Sequence, residues 1–231
     1  MPSLTPSNLK RSHADFTTHH RAMGKFAAWA VFFLGIAYVV TLVLGLLSLE
    51  SPQAPIGDPF FTLLELLILA MAPLMVISMI AVHAYAAPSG KAYSLTALAF
   101  MILLASITSS VHFVILTVSR QIEAAGLPWG SLFFSFKWPS VAYALDILAW
   151  DFFFALSMLF AAPIFRESKL ERRVKILMIV SGVLSLAGLI GVPLGNMQIR
   201  MIGVLGYAVV SPVVFLLLGI LFGRIQENTE S

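Results

Sequence analysis

Six long apolar runs dominate this sequence and restrict what it can fold into. They cover residues 26–49, 60–87, 92–118, 141–165, 174–192 and 201–222. A helix needs about 20 apolar residues to cross the hydrocarbon core of a bilayer, and in lipid the backbone must satisfy its own hydrogen bonds. Barrel strands would alternate polar and apolar residues over about ten positions, and these runs do not alternate. We therefore predict an all-α, polytopic integral membrane protein with six transmembrane helices in one bundle.

The composition excludes the other broad classes. Of 231 residues, 59% are apolar and only 11% are charged, whereas ordinary soluble domains carry about 25% charged residues. Disorder requires low hydrophobicity and high charge, so a disordered chain is excluded as well. The chain contains no cysteine, and this absence excludes a disulfide framework, a thiolate metal site and a cysteine nucleophile.

The distribution of basic residues predicts an orientation. Of the 14 Lys and Arg residues, all but Arg120, Lys137 and Arg200 fall on one side of the six predicted spans, and such an excess marks the cytoplasmic side. We predict a basic tail at 1–25 and a short tail at 224–231, both cytoplasmic, around a transmembrane domain at 26–223 in the cell (inner) membrane. The same basic collar predicts contact with anionic lipid headgroups rather than with nucleic acid.

Three ionisable residues lie at a similar depth in three different spans. An ionisable side chain inside a span costs about 2.5–3.5 kcal/mol on insertion scales, so each one is a candidate functional residue. At a rise of about 1.5 Å per residue, Glu65, His112 and Asp146 lie roughly 7.5–10 Å beneath the outer surface. We expect these three side chains to converge.

Asp151 lies deeper, roughly 15 Å from the outer surface. By the same residue count, no basic residue lies at the level of Asp151. We therefore expect Asp151 to be protonated or to border a water-filled cavity. Asp146 and Asp151 are five residues apart, about 140° around a helix axis, so both can face one point only if the helix is distorted.

Tyr143 shares a helix face with Asp146, and Arg200 lies at the outer entrance of the last span, where it could attract an anionic headgroup or pair with the acids. We predict a ligand-binding pocket that opens outward. Its candidate residues are Glu65, His112, Tyr143, Asp146, Asp151 and Arg200. The alternative interpretation is that each polar group only satisfies a neighbouring helix. No cofactor, catalytic residue or metal motif is predicted, although the donor types of Glu65, His112 and Asp146 would suit a metal.

Two further features have two interpretations each. The connection at 119–140 is rich in aromatic residues, which is typical of an interfacial anchor and also of a segment folded over the bundle as a lid. Gly219 and Gly223 form a small-residue pair that permits close helix packing, either within the chain or at a dimer face.

A limited resemblance covers roughly the last third of the chain. The segment Ala149-Trp150-Asp151-Phe152-Phe153-Phe154, with Pro163, the basic connection and the run at 180–188, resembles uncharacterised bacterial multi-pass membrane proteins of unknown function. The resemblance implies a bacterial inner membrane and transfers no activity.

Three functional hypotheses remain open at this point. The leading one is a protein that binds, or helps to move or sense, a small amphipathic molecule or lipid at the outward-facing pocket. The second is an intramembrane enzyme that performs acid–base chemistry on a lipid or isoprenoid. The third is an accessory subunit of a larger membrane complex that contacts its partner through the glycine-rich fifth and sixth spans. A homodimer is a separate alternative for the assembly, which transport by so small a chain would require.

Overall fold

The computed structural model describes residues 16–51, 54 and 56–224, and this part of the chain is helical without any strand. Six helices are long and apolar enough to cross a membrane, which confirms the predicted fold class. Their bounds are α1 Thr18–Leu47, α2 Phe60–Tyr85, α3 Pro88–Ile122, α4 Val141–Ile164, α5 Lys169–Gly191 and α6 Met197–Arg224. The predicted tails lie largely outside the described residues, at 1–15 and 225–231.

α1, α5 and α6 begin before their apolar runs, and a polar residue caps each of these starts. α1 begins at Thr18, where the Thr17 hydroxyl accepts a hydrogen bond from the backbone N–H of His20. Ser168 caps α5 and Asn196 caps α6 in the same way. A cap satisfies backbone donors that the first helical turn leaves without partners, so a helix can start in the polar region next to the membrane.

An even number of spans places both described ends on one side of the bundle. We call the face where α1 begins and α6 ends the terminal face, and the opposite one the loop face. The terminal face also carries the short α2–α3 and α4–α5 connections. The loop face carries the α3–α4 connection, which contains the short helix Gly130–Phe133.

Three spans contain a π-helical segment. These segments are Ile115–Ser119 in α3, Leu148–Phe153 in α4 and Leu205–Val210 in α6. A π-helical turn adds a residue to the local repeat and therefore changes which way the following side chains point, and such turns are frequent at functional sites.

Small residues let α5 and α6 approach their neighbours closely. A Cβ added at Gly188 would collide with the backbone of Gly203, and one added at Gly219 would press on the Trp29 indole of α1. Gly219 is buried inside the chain. Its packing against α1 agrees with the first interpretation of the glycine pair, close packing within one chain.

The terminal-face half of the bundle is solidly packed. Large side chains without solvent exposure fill it, including Phe154, Phe165, Phe215, Phe222 and Met178. Glu171 is buried there as well, at 5% exposure. Its carboxylate accepts hydrogen bonds from the Tyr85 hydroxyl and from the backbone N–H groups of Arg166 and Glu167. This buried acid therefore holds the α4–α5 connection in place.

Candidate functional site

His112 stands at the centre of a polar cluster in the loop-face half of the bundle. Its Nδ1–H donates a hydrogen bond of 2.7 Å to Oε2 of Glu65, and its Nε2 lies 3.5 Å from Oδ1 of Asp146. The three side chains are 7%, 4% and 13% exposed, respectively. The structure thus brings together the three residues that the depth argument grouped.

The order of the helices explains this convergence. α3 packs against both α2 and α4, so its side chains can reach a carboxylate on either side. His112 lies in the last turn of the regular part of α3, immediately before the π-helical segment Ile115–Ser119. Glu65 and Asp146 each lie in the second turn of their own helix at the loop face.

Asp151 forms a buried ion pair with Arg200. Nε and Nη2 of the guanidinium lie 3.3 and 3.2 Å from Oδ2 of Asp151, and the two side chains are 5% and 0% exposed. The expectation that no basic residue reaches the depth of Asp151 was therefore wrong. The Arg200 backbone lies within one turn of the start of α6, but its long side chain extends inward along the bundle.

Tyr143 completes the surroundings of Arg200. Nη1 donates a hydrogen bond of 2.9 Å to the Tyr143 hydroxyl. The guanidinium carbon lies 5.0 Å from the ring centroid of Tyr143 and 5.8 Å from that of Tyr207, within the range of a cation–π interaction. Arg200 is thus held by a carboxylate, a hydroxyl and two ring faces.

The two acids of α4 face different neighbours, as their spacing requires. Asp146 faces α3, and further along that face the Trp150 indole donates a hydrogen bond of 3.0 Å to the Thr108 hydroxyl. Asp151 lies in the π-helical segment Leu148–Phe153 and faces α6 instead. α4 therefore links the His112 cluster to the Arg200 ion pair.

A cavity of about 810 Å³ opens beside these groups. Residues of α1, α2, α3, α4 and α6 line it, together with residues 134–137 of the α3–α4 connection. Most of its wall is apolar, and the polar groups stand together on one part of it. Glu65, His112, Tyr143, Asp146 and Arg200 border the cavity, whereas Asp151 lies behind Arg200. Pockets for small molecules usually enclose about 300–1,000 Å³ and combine apolar walls with a few polar groups.

The aromatic connection covers part of the polar cluster. The ring of Phe136 lies 5.3 Å from that of His112 and 6.3 Å from that of Tyr143, measured between centroids. Trp129 and Trp138 of the same connection are 46% and 38% exposed. One part of this segment therefore lies over the cavity, and other parts remain at the surface.

Sequence reasoning missed two tyrosines of the cavity wall. Tyr38 of α1 and Tyr207 of α6 both border the cavity. Each is the single tyrosine of an apolar span that contains no acidic residue. A tyrosine inside an apolar helix carries a hydroxyl that needs a partner, and this signal could have found both residues.

An exposed ion pair stands at the cavity rim. Nη2 of Arg120 lies 3.0 Å from Oδ1 of Asp58, and both side chains are largely exposed. The Thr62 hydroxyl donates to the same carboxylate, and together with Arg120 it lowers the pKa of Asp58 below its usual range. This pair ties the start of α2 to the end of α3.

The cluster does not form a metal site. Within the described residues, no three His, Asp or Glu side chains are placed to hold a metal ion together. The reason is visible at His112, whose two ring nitrogens face opposite carboxylates instead of converging with them on one point.

Comparisons with known proteins identify no relative: no family model, curated protein or solved structure matches the chain.

Proposed function

We propose that this protein binds an amphipathic molecule or lipid in the membrane, with the apolar part of the molecule in the cavity and its polar end at the His112 cluster. One observation carries the proposal. One cavity of about 810 Å³ combines an apolar wall with the polar groups of five residues from four spans, α2, α3, α4 and α6. Helping to move or to sense the bound molecule would build on this binding step.

The arrangement of the polar groups supports a ligand-binding site rather than a purely structural role in helix packing. His112 Nε2 and Asp146 Oδ1 are buried atoms, 3.5 Å apart, that form no hydrogen bond in the described part of the chain. A buried polar atom without a partner costs about 1–3 kcal/mol. Both belong to residues that border the cavity, and a side-chain shift would let a bound polar group reach them.

Orientation and location are part of the proposal. The terminal face carries Arg166, Lys169, Arg172 and Arg173 next to the α4–α5 connection, and this charge supports a cytoplasmic terminal face under the positive-inside rule. The cavity then opens in the outer half of a bacterial inner membrane, where it meets lipids of the outer leaflet.

Two valine variants on α6 test the binding proposal. Val204 borders the cavity, whereas Val209 is 58% exposed on the outside of the bundle. Native mass spectrometry of protein released from nanodiscs doped with hexadecanol, hexadecylamine or hexadecanoate measures the bound fraction. We expect Val204→Phe to lower that fraction at least fivefold and Val209→Phe to leave it unchanged. Equal binding by wild type and Val204→Phe would refute the cavity as the site.

A second candidate function is acid–base chemistry on the bound molecule. The carboxylate–imidazole–carboxylate arrangement of Glu65, His112 and Asp146 beside the cavity favours it, because paired groups of this kind can exchange protons with a substrate. Incubation with a lipid extract, followed by lipid mass spectrometry, separates the two functions. A new product that His112→Gln abolishes supports an enzyme, whereas an unchanged extract supports binding alone.

A further inference from the structure

α1 and α6 are in contact in one half of the membrane and are separated in the other. In the terminal-face half, Trp29 of α1 packs at Gly219, and Phe222 packs at Gly24. In the loop-face half, the segments Met197–Val204 and Leu205–Val210 of α6 pack mainly on α5 and have at most sparse contact with α1. The loop-face end of α1 packs on the start of α2, where Gly45 lies against Phe60.

The cavity lies at this separation. Val39 of α1 and Met201 of α6 both border it. The same two side chains are 39% and 53% exposed. Partly exposed side chains on two different helices of a cavity wall are expected at the edges of an opening. At the loop face, Phe134 and Phe136 of the α3–α4 connection border the cavity, and Phe136 packs on the ring of His112. The sideways opening between α1 and α6 is therefore the more apolar route into the cavity.

The charges at the buried end of the cavity favour a cation over an anion, whereas Asp58, Arg120 and Lys137 stand at its exposed rim. Arg200 is the one permanent cation of the buried cluster, and Asp151, Tyr143 and two ring faces already hold it. An anionic headgroup would have to compete with these contacts. Glu65 and Asp146 share the single imidazole of His112, so the carboxylates are in excess even when that imidazole is protonated.

The hydrogen-bonding groups narrow the ligand further. His112 donates from Nδ1 to Glu65, so its neutral form presents the lone pair of Nε2, and this atom has no hydrogen-bond partner in the described structure. Oδ1 of Asp146 lies 3.5 Å from it and also forms no hydrogen bond in the described structure, so beside the neutral imidazole two acceptors face each other. A group with several N–H donors and a positive charge satisfies both atoms. A primary ammonium has these properties, whereas a quaternary ammonium has no N–H to donate.

Accepting the proposed binding function, we infer that the ligand is an amphiphile ending in a primary ammonium and that it enters sideways from the bilayer between α1 and α6. The ammonium lies between His112 and Asp146, and the apolar chain extends past Val39 and Met201 toward the lipid. Tyr38 and Trp150 border the same cavity.

A ligand series with one common chain tests the chemical class without any mutation. Hexadecylamine, hexadecyltrimethylammonium, hexadecanol and hexadecanoate are added to nanodiscs at equal mole fraction, and native mass spectrometry compares their bound fractions. We expect hexadecylamine to bind at least tenfold better than the other three. Asp146→Asn should lower the binding of hexadecylamine about tenfold and that of hexadecanol much less, because only the ammonium loses a charged partner. Glu65→Gln provides a second variant if Asp146→Asn does not fold.

The outcomes separate this inference from the proposed function. If hexadecanoate or the quaternary amine binds as well as hexadecylamine, and Val204→Phe abolishes this binding, the cavity binds amphiphiles but the ammonium assignment is overturned. If none of the four amphiphiles binds, or if Val204→Phe does not lower the bound fraction, the proposed function itself is refuted.

Crosslinking tests the route. The chain has no native cysteine, so Val39→Cys with Met201→Cys introduces the only two thiols, and a bismaleimide can join α1 to α6. We expect the crosslink to slow uptake of hexadecylamine from liposomes at least tenfold. The same double variant treated with N-ethylmaleimide, which cannot join the helices, is the control. Equal uptake rates in the two samples would overturn the sideways route.

Discussion

The carboxylate of Asp151 lies directly against the backbone of Gly203, where α4 meets α6. A Cβ at position 203 would collide with Oδ1 of Asp151, and the Arg200 ion pair depends on the position of that carboxylate. We therefore expect Gly203→Ala to destabilise the protein by about 1–3 kcal/mol, as overpacking usually does. SDS-titration unfolding measures the loss. Gly223→Ala on the same helix meets only ordinary contacts and should cause no loss of stability; similar values for both variants would contradict the proposed constraint.

The Arg200–Asp151 pair gives a second prediction. Arg200→Met leaves Asp151 as an unpaired buried charge, and removal of one partner of a buried pair costs about 3–5 kcal/mol. We expect Arg200→Met combined with Asp151→Leu to recover most of the loss, because the double variant leaves no charge without a partner. A double variant that is as unstable as the sum of both single variants would show that the two residues act independently.

The hydrogen bond between Trp150 and Thr108 links α4 to α3 inside the bundle. Thr108→Val keeps the shape of the side chain and removes the acceptor, which leaves the indole N–H without its partner. We expect a loss of about 1–3 kcal/mol in the free energy of unfolding. The control is Thr96→Val, because the exposed Thr96 hydroxyl bonds only within its own helix. A loss of the same size in both variants would argue against a role for the Trp150 bond.

Stability at acid pH should depend on the rim pair of Asp58 and Arg120. The hydroxyl of Thr62 and the guanidinium of Arg120 lower the pKa of Asp58. The contribution of Asp58 is therefore fully present above its usual pKa of about 3.9, and it is lost as the pH falls through the lowered value in the folded protein. We expect the difference in melting temperature between wild type and Asp58→Asn to be small, to be largest at neutral pH, and to vanish in acid. Because the pair is exposed, high salt should also reduce the difference; a difference that grows in acid would contradict this assignment.

Two lysine positions test the orientation. Lys137 lies on the loop face and Lys169 on the terminal face, and both are exposed. In the chain without native cysteine, we expect a membrane-impermeant maleimide to label Lys137→Cys in intact cells and Lys169→Cys only after lysis. The reverse pattern would place the cavity in the inner half of the membrane.

The candidate site was partly predictable from depth alone. Counting residues from the ends of the apolar runs placed Glu65, His112 and Asp146 at one level, and the structure brings them together. The same residue count wrongly left Asp151 without a basic partner. Counting residues gives the depth of a backbone position, but not that of the end of a long side chain. Arg200 has a long side chain that reaches several ångströms along the bundle to its partner.

The sequence by itself determined the six spans and the level of each polar residue. Both follow from a local requirement, since any chain segment in lipid must be apolar and must satisfy its own backbone hydrogen bonds. Only the tertiary structure decided which side chains share a partner, where the cavity lies, and where α1 separates from α6. These properties depend on how the helices are rotated and packed against one another, and small local changes such as the π-helical segment Leu148–Phe153 alter that rotation. An apolar run indicates how deep a residue lies in the membrane, but not which neighbouring helix its side chain faces.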